Sequence, residues 1–487
     1  MGAPLGPMEL DRAAGVVVAA AAGDALGAAY EFGGPVDPAA VRMGVGALTG
    51  RPAGSWTDDT DMAVAVLRAA ATGARLDDGD GLDAVAAGFL EWYRSGPPDI
   101  GIQTRGALGA AAADSGVEVA PGAVLTGSAR SYQDRHPENA GNGSLMRTGP
   151  VALSALGDDR LLCDSAAAVS ALTHPHEDAV IACQLWCVAI DRAVRTGRLD
   201  GPRAGLDLLD PVARARWTAW IDEAESAPLA ALRDNGWVVR ALQAAWRSVV
   251  DTVGDGGAAH VERGLRAAVA IGGDTDTVAA IAGALLGALH GASAVPFAWR
   301  RRLAGWPAEV THADLAPLAV LAVRGGRPDD LGWPAAPDLL ARYRQEWAPA
   351  GISVVLPGHE DVRWGDVAAL ADAPAEAFVS LCRVGHGQRR GAEHHEVWMT
   401  DGPDNIDLPR LLADTADAVE ALRRDHGTVF VHCVAAQSRT PTVAAAWLVR
   451  HHGYSVDAAH EAVLAALPDA APRPVLRDAL HAIDPAG

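Results

Sequence analysis

The chain has 487 residues, with 40 Lys+Arg against 61 Asp+Glu and a formal charge of −21. An acid excess of this size repels polyphosphate unless cations are concentrated locally, which argues against a nucleic-acid partner. No lysine occurs anywhere, so Schiff-base catalysis and the lysine of a Walker A phosphate loop are excluded.

At 49% hydrophobic residues the chain can bury cores, and its length predicts two or three domains. The N-terminal Met1-Gly2-Ala3-Pro4-Leu5-Gly6 carries neither a basic leader nor the Ser/Thr of a myristoylation signal. Five cysteines, Cys163, Cys183, Cys187, Cys382 and Cys433, are too few for a disulfide framework, and a reducing cytoplasmic location is expected.

Residues 1–330 read as Ala-rich helical segments divided by Gly, Pro and Asp, which predicts an all-α domain. Its uncharged stretch Thr277–Trp299 is strongly apolar only over Val278–Leu289, so a buried core helix is expected and no membrane span. The segment Gly325–Pro337 is dense in turn formers, and residues 331–350 are expected to be a linker with a short helix near 338–347. Beyond 350, strand-length runs at 352–356, 377–384, 396–399 and 428–432 alternate with helical patterns at 408–424, 440–452 and 456–466. That alternation predicts, for 351–487, a small α/β domain with a mostly parallel sheet.

Two acid-rich clusters stand at predicted helix starts. Ser55-Trp56-Thr57-Asp58-Asp59-Thr60-Asp61 precedes one apolar run, and Gly272-Gly273-Asp274-Thr275-Asp276-Thr277 precedes another. Helix capping accounts for one such residue per helix. Carboxylates some 4 Å apart repel by about 4 kcal/mol at an effective dielectric near 20, and neither cluster contains an arginine. A hard divalent cation on Asp and Thr oxygens is the alternative to simple capping. It requires the fold to bring the two clusters together.

The runs Gly23-Asp24-Ala25-Leu26-Gly27 with Glu31, Thr57-Asp58-Asp59-Thr60, Gly141-Asn142-Gly143-Ser144-Leu145-Met146-Arg147, Thr173-His174 and Gly273-Asp274-Thr275-Asp276-Thr277 resemble the ADP-ribosylglycohydrolase family over most of residues 10–300. The resemblance implies an all-helical fold with two divalent cations, Mg²⁺ or Mn²⁺, at the base of a cleft holding ADP-ribose. Metal ligands then fall on Thr57, Asp58, Asp59, Asp274, Asp276 and Thr277. Glu31, Asp58 and Asp59 become candidate catalytic residues, with Glu31 a ligand or base. Asn142, Gly143 and Ser144 would let backbone N–H groups approach the diphosphate, with His174 beside the phosphates. Cleavage at the ribose anomeric carbon passes through an oxocarbenium-like state and needs a positioned water and a base, both of which a metal pair assists. Cys183 and Cys187, four residues apart, read as buried small hydrophobes.

The last motif is Val431-His432-Cys433-Val434-Ala435-Ala436-Gln437-Ser438-Arg439-Thr440, ending a strand and opening a helix. Five residues between Cys and Arg allow a loop whose N–H groups point inward, with Arg gripping phosphate oxygens and a thiol facing phosphorus. It resembles the Cys-x5-Arg phosphatases of the dual-specificity type over roughly 350–487. The resemblance makes Cys433 the nucleophile, Arg439 the phosphate binder and Thr440 an aid to hydrolysis. Asp401 is the acid, with Asp404 second to it. Ala436 stands where that family has Gly, which would strain or narrow the cradle.

Together these readings predict a bifunctional hydrolase that cleaves ADP-ribosyl glycosidic bonds and phosphate esters. Its expected partners are an ADP-ribosylated protein or ADP-ribose-containing small molecule and a phosphorylated substrate, with no nucleic acid and no membrane. The alternatives are a phosphate-binding second domain without turnover, or an ADP-ribose reader without catalysis.

Overall fold

Alanine and glycine dominate the first three hundred residues, and the helices they form touch backbone to backbone. The computed structural model describes residues 5–113, 120–254, 256–306 and 310–483. The chain divides into one unit built mainly from Glu9–Val295 and Trp299–Arg327 and another from Pro328 onward.

In the first unit the helices Pro7–Gly27 and Thr275–His290 pack antiparallel. A Cβ at Gly15 would lie 2.2 Å from Gly287 O, one at Gly23 2.2 Å from Ala279 O, and one at Gly27 2.4 Å from the Asp276 backbone N. Only hydrogen fits at these crossings, so the pair is locked in register. That register sets Asp24 beside Asp276. Residues Thr275 to Leu289 are all buried, which explains the uncharged stretch as core. Among the described residues no helix is long and apolar enough to cross a membrane.

The described part of the first unit is helical, with a few isolated bridges. The bridge Gly33↔Gly273 ties the loop after Glu31 to the loop before Asp274, and Gly141↔Trp237 anchors the Asn142 turn.

The second unit holds a five-stranded sheet in the order β1-β2-β5-β3-β4, with β1 Ser353–Leu356, β2 His359–Asp366, β3 Ala377–Ser380, β4 Glu393–Glu396 and β5 Val429–Cys433. Only β1 against β2 is antiparallel; β2/β5, β5/β3 and β3/β4 are parallel. One face packs Val362, Trp364, Val429 and Val431 on helices 408–426 and 439–452. The other face carries Phe378 and Phe430 against Leu370 and Val384.

Three expectations are corrected here. β2 (HEDVRWGD) was invisible as a strand because its first half is charged and partly exposed. β4 lies at Glu393–Glu396 in place of 396–399, since the polar Glu-His-His-Glu run pairs in register with Ala377–Ser380. Residues 331–350 form a strap on the second unit. Trp333, Leu339 and Tyr343 are buried, Leu339 N donates to Gln388 Oε1 at 2.9 Å, and Tyr343 OH donates to Arg383 O at 2.8 Å. The three apolar side chains overrode the turn formers around them.

Candidate active sites

In the first unit the two acid clusters meet. Asp24 caps the Asp58–Ala70 helix: Oδ1 accepts from Thr57 N and Thr57 Oγ1, both at 2.9 Å, and Oδ2 accepts from Thr60 N at 3.0 Å and Thr60 Oγ1 at 2.6 Å. Thr57 Oγ1 also lies 3.0 Å from Asp59 Oδ2 and 3.4 Å from Asp276 Oδ2. One hydroxyl proton cannot serve three carboxylates. Carboxylate oxygens of Asp24, Asp59 and Asp276 lie within 4.8 Å of one another, and so do those of Glu31, Asp274 and Asp276. Asp59 Oδ1 and Asp276 Oδ1 are buried without a hydrogen-bond partner.

These acids are costly to ionise together. Burial, then Asp99, pushes Asp58 up to about 8 and Glu31 up to about 8. Burial, then neighbouring carboxylates, also raises Asp59 and Asp276. The donor set is all oxygen and includes buried oxygens without a hydrogen-bond partner, which fits a hard divalent cation at each of the two groups.

The site opens into a cleft of about 690 Å³ lined by Glu31, Asp58, Asp59, Asp274, Asp276 and Thr277, with Asn142, Gly143 and His174 on its wall. Its described lining contains no arginine, and the chain has no lysine. Asn142 Nδ2 donates to Asp274 Oδ2 at 2.7 Å.

His174 is buried and held well below its ordinary pKa by burial and then by Arg147. Arg147 donates to Thr173 Oγ1 at 2.5 Å, and Thr173 Oγ1 lies 2.7 Å from His174 Nδ1. Nε2 of the same ring lies on the Gly141–Gly143 side. A Cβ at Gly143 would lie 2.8 Å from His174 Cε1, so that glycine makes room for the ring.

Two expected residues stand apart from the cleft. Ser144 Oγ bonds Ser170 Oγ at 2.9 Å and lies 3.5 Å from Cys183 Sγ in the interior, so its side chain serves packing. Thr57 sits behind the acids, bonded to Asp24, and does not line the cleft.

Sequence reasoning missed several functional neighbours. Asp24 lay within a quoted motif but was given no role. Asp99 lines the cleft and is the largest charge acting on Glu31 and Asp58. Asn235 pins the second cluster, since its Oδ1 accepts from Asp274 N at 2.8 Å and its Nδ2 donates to Gly272 O at 3.0 Å. Asp61 proved to face away, bonded by Trp56 Nε1 at 2.7 Å and Trp92 Nε1 at 3.1 Å.

In the second unit Cys433 ends the central strand β5 and Arg439 opens the following helix. The carboxyl ends of parallel strands are where open α/β sheets present ligands. Arg439 Nη1 donates to Leu381 O at 2.7 Å and Met399 O at 3.2 Å. Its Nε lies 3.2 Å from Asp401 Oδ2, an ion pair without hydrogen-bond geometry. Burial opposes the Arg439 charge, but Cys433, Cys382 and Asp401 outweigh it and raise its pKa. Asp401 is thus the carboxylate beside the loop, while Asp404 is exposed. Ala436 takes a left-handed φ of 52°, the conformation that favours glycine. Thr440 Oγ1 donates to Gly365 O at 3.1 Å. Its proton is committed to β2, which counts against the hydrolytic role expected for it.

A helical unit with a two-cluster acid cleft, followed by a Cys-loop-Arg unit on a mostly parallel sheet, defines a hydrolase of two parts. The chain belongs to the ADP-ribosylglycohydrolase family, whose model matches residues 6–330. Residues 382–482 match the dual specificity phosphatase catalytic domain, so the second unit is dual specificity phosphatase-like. Over 307 residues, 61% of this chain and 75% of the relative, it is 30% identical to the ADP-ribosylarginine hydrolase Tri1 of Pseudomonas putida. Over 308 residues, 61% of this chain and 92% of the relative, it is 29% identical to the ADP-ribosyl-(dinitrogen reductase) glycohydrolase of Rhodospirillum rubrum. Over 109 residues, 22% of this chain and 66% of the relative, it is 36% identical to dual specificity phosphatase 28 of Mus musculus.

Proposed function

We propose that the first unit hydrolyses the N-glycosidic bond between ADP-ribose and an arginine guanidinium, and that the second hydrolyses phosphate esters through Cys433. The observation that carries the first part is the convergence of Asp58, Asp59, Asp274, Asp276 and Glu31 on one cleft whose described lining has no arginine. Such a cleft favours cations, metal ions and a guanidinium group alike. The relatives named for ADP-ribosylarginine support the guanidinium as leaving group.

Asp59 and Asp276, with Glu31 and Asp274, would hold two divalent cations, Mg²⁺ or Mn²⁺. These supply Lewis acidity toward a water and the ribose hydroxyls when bound. His174 Nε2 and the Gly141–Gly143 turn then face the diphosphate. As the C1″–N bond breaks, its electron pair leaves with the guanidine. The water oxygen bonds C1″, and Glu31 accepts the water proton. The neutral guanidine takes up the proton that Glu31 received and leaves as guanidinium, with Asp99 on the wall of the same cleft.

In the second unit the Cys433 sulfur displaces the ester oxygen at phosphorus while Asp401 protonates that oxygen, and Arg439 holds the phosphate. Water then hydrolyses the phosphocysteine. A phosphate binder without turnover is the second reading, favoured by the left-handed Ala436 and the committed Thr440 hydroxyl.

The full chain should release ADP-ribose from an ADP-ribosylated arginine peptide in the presence of Mg²⁺ or Mn²⁺. Asp58→Ala and Asp276→Ala should abolish release while leaving the fold intact. Undiminished release in both variants rejects the reading. Aryl phosphate turnover lost in Cys433→Ser supports the second activity, and an inactive wild type reduces that unit to a binding module.

A further inference from the structure

Behind Cys433 runs a line of polar side chains that the phosphatase chemistry leaves unused. The Arg390 N–H donates to His394 Nδ1 at 3.0 Å. His394 Nε2 and His432 Nε2 each lie 2.7 Å from the Ser380 hydroxyl, and His432 Nδ1 lies 3.2 Å from the Cys433 carbonyl oxygen.

Two backbone groups fix the order of protons along this line. His394 Nδ1 accepts from an N–H, so the neutral ring carries its proton on Nε2 and donates it to Ser380. His432 Nδ1 faces a carbonyl, so it bears the proton, and its Nε2 accepts from Ser380. Ser380 accepts one bond and donates its single proton in the other. Burial keeps both rings neutral, drawing His394 down to about 3 and His432 down to about 4.

Packing holds the rings in place. Phe430 stacks on His432 at 5.5 Å and 17°, and Phe378 stacks on His394 at 5.6 Å and 28°. The registers Ser380↔His432 and Phe378↔His394 put these groups across three adjacent strands. Ser380 and His432 are fully buried. Cys382 Sγ, 4.0 Å from His432 Nδ1, is the other side chain at that nitrogen.

We propose that Ser380, oriented by His394, is a positioning residue for the Cys433 loop: its hydroxyl donates to His432 Nε2 and holds the ring where Nδ1–H draws the Cys433 carbonyl back toward the sheet. Across a trans peptide the C=O and the next N–H point in opposite directions, so this bond also turns the Val434 N–H away from His432. The line ends on a carbonyl that cannot pass a proton onward, so it orients the loop and relays no proton. The inference rests on the phosphatase reading of Cys433.

The test uses Ser380→Ala and Ser380→Thr in the full chain, with three readouts: p-nitrophenyl phosphate kinetics, the rate of Cys433 alkylation by iodoacetamide, and the His432 ring nitrogens by long-range ¹H–¹⁵N NMR. Ser380→Ala should lower kcat on the order of 10–100-fold with KM little changed. It should also slow alkylation about tenfold and shift the His432 Nε2 resonance toward that of an acceptor without a donor, while Ser380→Thr restores all three. A wild-type Nε2 resonance and alkylation rate in Ser380→Ala overturn the proposal. Should that variant not fold, His394→Ala on the outer strand removes the donor to Ser380 and must move the same Nε2 signal, or the proposal fails. A wild type without phosphatase turnover sinks the phosphatase reading, and the Nε2 resonance and alkylation still decide the positioning role.

Discussion

Asp59 and Asp276, from opposite ends of the first unit's sequence, bring carboxylate oxygens within 4.8 Å of each other, and each keeps one buried oxygen with no partner. Among the described residues, no arginine lines the cleft they share. A divalent cation that binds this arrangement and not the unfolded chain stabilises the fold, by about 2.7 kcal/mol at a hundredfold excess over Kd. Mn²⁺ or Mg²⁺ should therefore raise the melting temperature of the wild-type chain and leave that of Asp276→Asn unmoved. Equal shifts in both proteins would count against the ion site.

Gly27 is where the first helix touches Asp276. A Cβ there meets the Asp276 backbone at 2.4 Å, so Gly27→Ala must push the two helices apart. Overpacking of this kind costs about 1–3 kcal/mol. The expected signature is a destabilised first unit with weakened cation response and little change in aryl phosphate turnover. Unchanged thermal stability would show that the contact is looser than described.

His290 supplies a pH test. Its ring Nε2 lies 2.9 Å from His260 Nδ1, and burial, then His260, draws its pKa down to about 3, with Arg12 and Arg263 adding to the effect. Above pH 6.5 the ring is neutral in both folded and unfolded chains. As pH falls toward 3 the unfolded chain takes up a proton that the folded one refuses, so stability declines across that window by up to about 1.4 kcal/mol per pH unit. Urea midpoints between pH 7 and pH 5 should fall less steeply for His290→Gln than for wild type; parallel slopes would contradict the assignment.

Much of this was legible in the residues themselves. Asp58, Asp59, Asp274 and Asp276 stood out because so many like charges without a local cation demand a partner, and Cys433 and Arg439 stood out by their spacing. What stayed hidden depended on tertiary contact. Asp24 looks like a helix residue until the glycine crossings carry it to Thr57, and Asp99 sits in a Pro-Pro-Asp-Ile-Gly turn with no periodicity to mark it. The strand His359–Asp366 was missed because pairing with β5 outweighs its charged composition. The strap around Trp333 was missed because turn formers outnumber its three anchors.

Ala436 occupies a backbone conformation that costs an L-residue roughly 1–2 kcal/mol. Ala436→Gly removes that strain and returns some of it as unfolded-chain entropy. The net expectation is stability unchanged or raised by up to about 1 kcal/mol, read from the denaturation midpoint. A clear loss of stability would mean that the alanine methyl packs usefully at this position.

Asp401, paired with Arg439, should act on the leaving group. Asp401→Asn should cut turnover of phenyl phosphate on the order of 10²–10⁴-fold and affect dinitrophenyl phosphate far less, since that leaving group needs no proton. Equal losses on both substrates would reassign Asp401 to holding Arg439.

The most direct measurement is anomalous diffraction from crystals of the full chain grown with Mn²⁺. Two peaks are predicted, one bounded by Asp59 and Asp276 and one by Glu31, Asp274 and Asp276. A cleft without peaks, or manganese bound elsewhere while these acids stay apart, would contradict the account.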